Sequence, residues 1–270
     1  MPLLQKIFSN KGAEIEYATI GKGTPVVLLH GFGEDHTIWE HQINFLQQHC
    51  KLIIPNLPGT GQSKHTDAAR PLSIESMADN IKLLLDQENI TTCIILGHSM
   101  GGYITLAFAE MYPAYLKGFG LIHSTAFADT VDKKKNRQRA IEMIAEYGGY
   151  AFLKNTIPNL FGNSFKYTST EIIDQLIEKS KAFINNALQD YYRAMIARTD
   201  KTNVLANTNV PVLFIAGTED TAAPIADTTE QSKLSSNIQF HILEGVGHMG
   251  MLESPNKVNQ LMLNFIHHTI

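Results

Sequence analysis

Short, nearly unbroken apolar runs alternate with amphipathic stretches along most of this chain. Val26 to His30, Leu52 to Pro55, Cys93 to Leu96 and Phe119 to Ile122 are continuously apolar, the pattern of parallel strands covered on both faces. Between them, Thr37 to Gln48, Ile74 to Gln87 and Ser99 to Met111 carry apolar residues at three- and four-residue spacing, which predicts helices. Two short alternating runs, near Ile7 and from Ile15 to Ile20, precede them and read as strands. The same rhythm returns near the C-terminus, with strands over Val212 to Ala216 and Ile238 to Leu243, a polar helix over Asp227 to Leu234 and a last helix from Asn256. Strand and helix signals in alternation place the chain in the α/β class.

The middle breaks this rhythm. Residues 125–208 contain no convincing strand, but amphipathic helix patterns recur. Asp132 to Tyr147 sets Ala140, Ile141, Met143, Ile144 and Tyr147 on one side and stops at Gly148-Gly149. Thr168-Ser169-Thr170-Glu171 offers a capping-box start for a helix through Ile172, Ile173, Leu176 and Ile177, and Phe183, Leu188, Tyr191 and Met195 continue at helical spacing. The expectation is a core formed by residues 1–124 and 209–270, with residues 125–208 inserted as an all-helical cap over the sheet. No internal repeat or low-complexity segment interrupts the pattern.

Composition narrows the possibilities. A chain of 270 residues with 44% apolar content can bury a large core in one domain. A net charge of -4 and a pI near 6.2 argue against nucleic acid as a partner and favour a small-molecule substrate. Lys133-Lys134-Lys135 reads as a solvated helix face. Two cysteines, Cys50 and Cys93, sit in strand-like apolar surroundings and are expected to be buried free thiols, which suits a reducing cytoplasm. The opening stretch MPLLQKIFSNKGAEIEY lacks the long apolar core of a leader, and no later run reaches membrane-spanning length, so no membrane partner is expected.

The candidate chemistry centres on IILGHSMGGYITLAF, where a strand pattern runs into a helix pattern through Gly97-His98-Ser99-Met100-Gly101 and a further Gly102. This is G-x-S-x-G at a strand-to-helix turn, the setting of a nucleophile elbow, where tiny neighbours let strand and helix approach while a strained serine projects its hydroxyl. Such a serine needs a histidine to take its proton and a carboxylate to orient that histidine, in the chain order serine, acid, histidine. Among eleven histidines, His248 stands out in LEGVGHMGMLESP, a glycine-rich loop directly after the last strand. His241 lies inside a strand, and His267 and His268 lie in the last helix. For the acid, LFIAGTEDTAAP places Glu219 and Asp220 just beyond a strand, and both fit.

Five motifs in order then carry a family resemblance. LLHGFGEDHTIW resembles an H-G loop after the third strand, NLPGTGQS a D-x-x-G-x-G-x-S turn, GHSMGG the elbow, GTEDTAAP a G-x-x-D-x-x-x-P acid loop and GHMGMLESP a catalytic-histidine loop. Together they resemble the α/β-hydrolase superfamily, in its serine-nucleophile, esterase-like branch, over nearly the whole chain outside residues 125–208. The resemblance implies a mostly parallel, twisted central sheet flanked by helices, with the helical cap inserted after the sixth strand. It implies Ser99 as nucleophile, Asp220 rather than Glu219 as acid, because Pro224 completes the acid motif, and His248 as base. The backbone N–H groups of Phe32 and Met100 would form the oxyanion hole. Asn56 stands where the family usually has Asp, and is expected to alter loop bonding without loss of chemistry.

Other signals carry less. His30, Asp35, His36 and His41 mix metal-ligand types but match no ligand spacing, so no metal or other cofactor is expected, and His30 is read as loop-orienting. GTGQSK lacks the full phosphate-loop arrangement. Trp39 is read as core. His123, closing the strand after the elbow helix, is placed in the substrate pocket with Phe127, Phe152, Leu160 and Phe161. The expected reaction is hydrolysis of a small to medium, partly apolar carboxylic ester by water. A carbon–carbon bond hydrolase acting on diketone-like substrates and a ligand receptor that keeps an intact triad are the alternatives. Ser99 argues against dehalogenase and epoxide hydrolase chemistry, which use an acidic nucleophile.

Overall fold

The computed structural model describes residues 3–10, 12–66 and 70–269; Met1, Pro2 and Lys11 of the N-terminal stretch lie outside the described residues. Eight strands form the main path of one sheet: β1 Leu4–Ser9, β2 Ala13–Ile20, β3 Pro25–Leu29, β4 Lys51–Pro55, β5 Cys93–His98, β6 Leu116–Ile122, β7 Val212–Gly217 and β8 Ile238–Leu243. Their spatial order is β1-β2-β4-β3-β5-β6-β7-β8, and a two-residue strand, Lys64–His65, adds to β2. β1, β2 and β4 pair antiparallel, and from β4 to β8 every pairing is parallel.

The continuous apolar runs have a direct physical cause. Successive strand residues point to opposite faces, and both faces are covered. Val27 and Leu29 of β3, Ile95 of β5 and Phe214 of β7 enter one apolar cluster, whereas Val26 and Leu28, Ile94 and Leu96, and Leu213 and Ile215 enter the other. Helices α2 (Ile74–Gln87) and α3 (Met100–Met111) pack into the first cluster. Helices α1 (Glu40–Leu46) and α12 (Pro255–Thr269) pack into the second, with Trp39 buried there beside them. A 3-10 turn, His36–Trp39, leads into α1 where the sequence suggested one helix from Thr37.

Helices α4 (Val131–Tyr147), α5 (Gly149–Thr156), α6 (Asn163–Thr168), α7 (Thr170–Lys179), α8 (Asn185–Ala197) and α9 (Thr202–Asn207) lie between β6 and β7. α10 (Ile225–Gln231) and α11 (Gly250–Glu253) complete the set. α4 stops at Gly148, whose φ of +87° suits glycine alone, but Gly149 starts α5 instead of ending the helical stretch. The expected capping box at Thr168 to Glu171 does not form: Ser169 is the N-cap of α7 without a side-chain bond. Its ψ of 41° is not the extended value a capping serine adopts, because its own N–H still bonds Phe165 as the last turn of α6. Apolar residues of the inserted helices join both sheet clusters: Ile144, Phe152, Ile173 and Leu188 one, Tyr191, Ala194 and Met195 the other. No helix among the described residues is long and apolar enough to cross a membrane.

Candidate active site

The parallel half of the sheet brings the carboxyl ends of β5, β6, β7 and the loop after β8 to one edge. Ser99 sits between β5 and α3 with φ +50° and ψ -114°, a strained conformation for a non-glycine residue. Its amide donates to Ile122 O at 3.0 Å and its carbonyl accepts from Ser124 Oγ at 2.7 Å, so both sides of the turn are held by β6 and the residue beyond it. The glycines follow from close approach: a Cβ at Gly97 would lie 2.2 Å from Gly101 O, and one at Gly101 would lie 2.3 Å from Leu29 O. Met100 opens α3, so its N–H has no acceptor within the helix, and no side chain caps it. Among the described residues the Phe32 N–H likewise has no acceptor within the protein.

Beyond β7, Asp220 accepts the amides of Ala222 and Ala223 on Oδ1 at 2.9 and 2.8 Å. Both its oxygens receive His248 Nδ1, at 3.0 and 2.9 Å. Glu219, the competing carboxylate, turns away to accept the Asn163 amide of the inserted helices. His248 is carried by a loop that touches the insertion directly, its N–H donating to Leu160 O at 2.6 Å. Gly247 is needed there, since a Cβ would lie 2.6 Å from Leu160 O. No hydrogen bond joins the Ser99 hydroxyl to His248 among the described residues. The His248 ring lies against His98, the residue before Ser99, with centroids 4.9 Å apart.

The electrostatics couple the two groups. Burial alone would raise the Asp220 carboxyl, but the charge of His248, joined by hydrogen bonds from His123 and His248, holds it far below the usual carboxylate range. Burial pulls His248 down, yet the Asp220 charge and hydrogen bond outweigh it and raise the imidazole above its ordinary value.

His123 requires a correction. It lines no open pocket: it is fully buried, with φ +49°, and its Nδ1 lies 3.2 Å from Asp220 Oδ2. Burial lowers its pKa, so the ring is neutral and Nδ1–H donates to the carboxylate. On its other side it packs against Gly250, where a Cβ would sit 2.1 Å from Nε2. His123, Asp220 and His248 bring ligand-type atoms within 4.8 Å of one another. Their hydrogen bonds already use the nitrogens and oxygens that face each other, so the cluster holds itself together.

The remaining pocket expectations divide. Phe161 is buried and stacked on Phe165, centroids 5.3 Å apart, so it is core instead of pocket wall. Leu160 meets the site through its carbonyl, and the Phe127 carbonyl accepts from Arg198 Nη2. Phe152 stands edge-on to Tyr192, whose ring stacks on Phe32 at 4.1 Å.

Sequence reasoning missed three groups. Glu34 Oε2 accepts the Gly31 N–H at 2.7 Å and faces His98 Nδ1 at 3.0 Å, while His98 Nε2 faces the His248 carbonyl at 2.9 Å. This buried chain ties the Phe32 loop, the elbow and the His248 loop together. Burial would raise the Glu34 carboxyl, but the His98 charge and hydrogen bond hold it low. Glu253 performs a similar task, accepting the amides of Gly162, Gly247 and Met249. Tyr192 is the third. Glu34, His98 and Glu253 all sit inside quoted motifs, where a charged or polar residue beside a buried turn signals a partner.

His30 and Asn56 both sit in defined hydrogen bonds. His30 accepts the Leu57 amide on Nε2 at 2.9 Å and lies 2.9 Å from Gly31 O through Nδ1, so it orients the loop. Asn56 accepts the His36 amide and donates to Glu16 Oε2 at 2.7 Å, a bond an aspartate could not make.

The profile of the alpha/beta hydrolase fold family matches residues 24–255. The chain is 28% identical over 248 residues to the dihydrolipoyllysine-residue acetyltransferase component of the acetoin cleaving system of Pseudomonas putida, covering 90% of its own length and 64% of that protein's. It therefore spans less than two thirds of that relative. It is 25% identical over 244 residues to 3-oxoadipate enol-lactonase 1 of Acinetobacter baylyi, covering 89% of this chain and 88% of that one. A thermophilic esterase from Thermogutta terrifontis, solved with malate bound, superposes with a TM-score of 0.90 at 26% identity, over 100% of this chain and 99% of that one.

Proposed function

The chain belongs to the alpha/beta hydrolase family, and from that premise we propose that it is a serine hydrolase of carboxylic esters. One observation carries the reading: Asp220 holds His248 through Nδ1 at 2.9 Å beside a strained serine at a glycine-built elbow. Ser99 Oγ attacks the substrate carbonyl carbon as its proton passes to His248 Nε2, and Asp220 stabilises the imidazolium that forms. The amides of Phe32 and Met100 receive the oxyanion, a pair of donors that needs no rearrangement at the moment of reaction. Collapse expels the alcohol, protonated by His248, and water then releases the acyl group by the same steps. Residues 125–208 act as the cap over this edge, and buried free thiols suit a reducing compartment. The names of two similar proteins, an esterase and an enol-lactonase, support ester chemistry, cyclic in the second case.

The test is the nucleophile. Ser99→Ala lowers kcat for 4-nitrophenyl butyrate by about 10⁴-fold or more, and removes labelling by a fluorophosphonate probe. Full esterase activity in that variant would end the proposal.

A further inference from the structure

An open groove of about 410 Å³ runs beside this site, walled by α4, Phe152 and Tyr192 and by the loop just after Asp220. It is joined to the chemistry at two places. Tyr192 stacks on Phe32 at 4.1 Å, and Ala222, which lines the groove, gives its amide to Asp220 at 2.9 Å. The charge along it is one-sided. Lys133, Arg137 and Arg139 line it and no carboxylate does, although the chain as a whole carries a net charge of -4.

The nearest buried acid does not neutralise this. Asp129 pairs with Arg137 Nε at 2.6 Å and with Arg198 Nη1 at 2.9 Å, so two guanidinium groups share one carboxylate and one positive charge is left over. Lys133 Nζ has only the Ala222 carbonyl, at 3.4 Å, and Arg139 has no carboxylate partner among the described residues. Lys133 and Arg137 are four residues apart on α4 and therefore share a face. Arg137 also lies over the Tyr192 ring, 5.6 Å from its centroid, which aims the cationic cluster towards the aromatic wall shared with Phe32.

We propose that this groove selects esters or lactones bearing a carboxylate, or an equivalent anion, remote from the carbonyl that Ser99 attacks. Arg137 and Lys133 hold the anion, Arg139 steers it in, and Phe152 and Tyr192 cover the apolar stretch between the anion and the reacting carbonyl. The inference rests on the hydrolase reading of the same site and names its substrate class.

The test compares 4-nitrophenyl butyrate with mono-4-nitrophenyl glutarate, which differ chiefly by a terminal carboxylate. The quantity read is the ratio of kcat/KM for the anionic ester to that for the neutral one. In the Lys133→Glu/Arg139→Glu double variant the ratio falls by about tenfold or more, the loss expected for charge-assisted contacts. Added salt lowers the ratio in the wild type. Lys22→Glu/Lys257→Glu makes the same change in net charge at exposed positions and keeps the wild-type ratio. An unchanged ratio in the groove variant, or an equal fall in the control, overturns the inference while leaving the hydrolase intact. Failure of the wild type to cleave either ester, with no fluorophosphonate label on Ser99, would bring down the hydrolase reading and this one with it.

Discussion

At the scale of single residues, the site depends on a proton balance between buried groups. In the proposed mechanism His248 must be neutral to accept the Ser99 proton, yet Asp220 raises its pKa above the ordinary histidine value of 6.5. The kcat/KM profile for 4-nitrophenyl butyrate is therefore expected to lose activity as pH falls, with an acid-limb midpoint above 6.5. A midpoint below that value would mean that burial outweighs the Asp220 charge. The sign for stability follows from the same shift. A raised folded pKa makes the pair's contribution whole below the unfolded histidine value, and that contribution fades as pH climbs through the folded one. His123 adds a second donor to the same carboxylate, so Asp220 is fixed by two rings and two backbone amides at once.

At the scale of elements, two helix starts that look alike in the sequence behave differently. Ser73 precedes α2 with an extended backbone, φ -133° and ψ 163°, and forms a complete capping box with Ser76. Ser169 precedes α7 with no side-chain bond. Ser73→Ala is expected to cost about 1 kcal/mol and Ser169→Ala no more than about 0.5 kcal/mol, as read from urea unfolding midpoints. Equal losses would refute the distinction. Local pattern does not separate the two cases because the difference is set by what comes before: α6 ends one residue before Ser169 and holds its amide, whereas residues 70–72 before Ser73 belong to no helix or strand.

At the scale of the whole molecule, the sheet divides the interior into two apolar clusters, and the inserted helices contribute to both. Cys93 lies in one cluster and Cys50 in the other, with burial pushing each thiol up to about 12. A thiol that is both buried and protonated is unreactive. The native protein is expected to resist 5,5′-dithiobis(2-nitrobenzoate) at pH 8, while urea-unfolded protein releases two equivalents. Rapid reaction of either thiol in the native state would show that its cluster opens without global unfolding.

The apolar runs, the helical spacing and the glycines around Ser99 were determined by the sequence, because periodicity and backbone sterics are local properties. They were enough to predict the eight strands of the main path, most of the helices and a strained serine at a strand end. The choice between Glu219 and Asp220 came from family resemblance; in the structure Glu219 meets the Asn163 amide and Asp220 meets His248. Only the tertiary structure decided that His123 serves Asp220 instead of a pocket, that Glu34 and His98 bind three loops together, and that lysine and arginine of α4 meet beside the site. Those partnerships join residues far apart in the chain. Their geometry depends on strand order and helix packing, which no local pattern specifies.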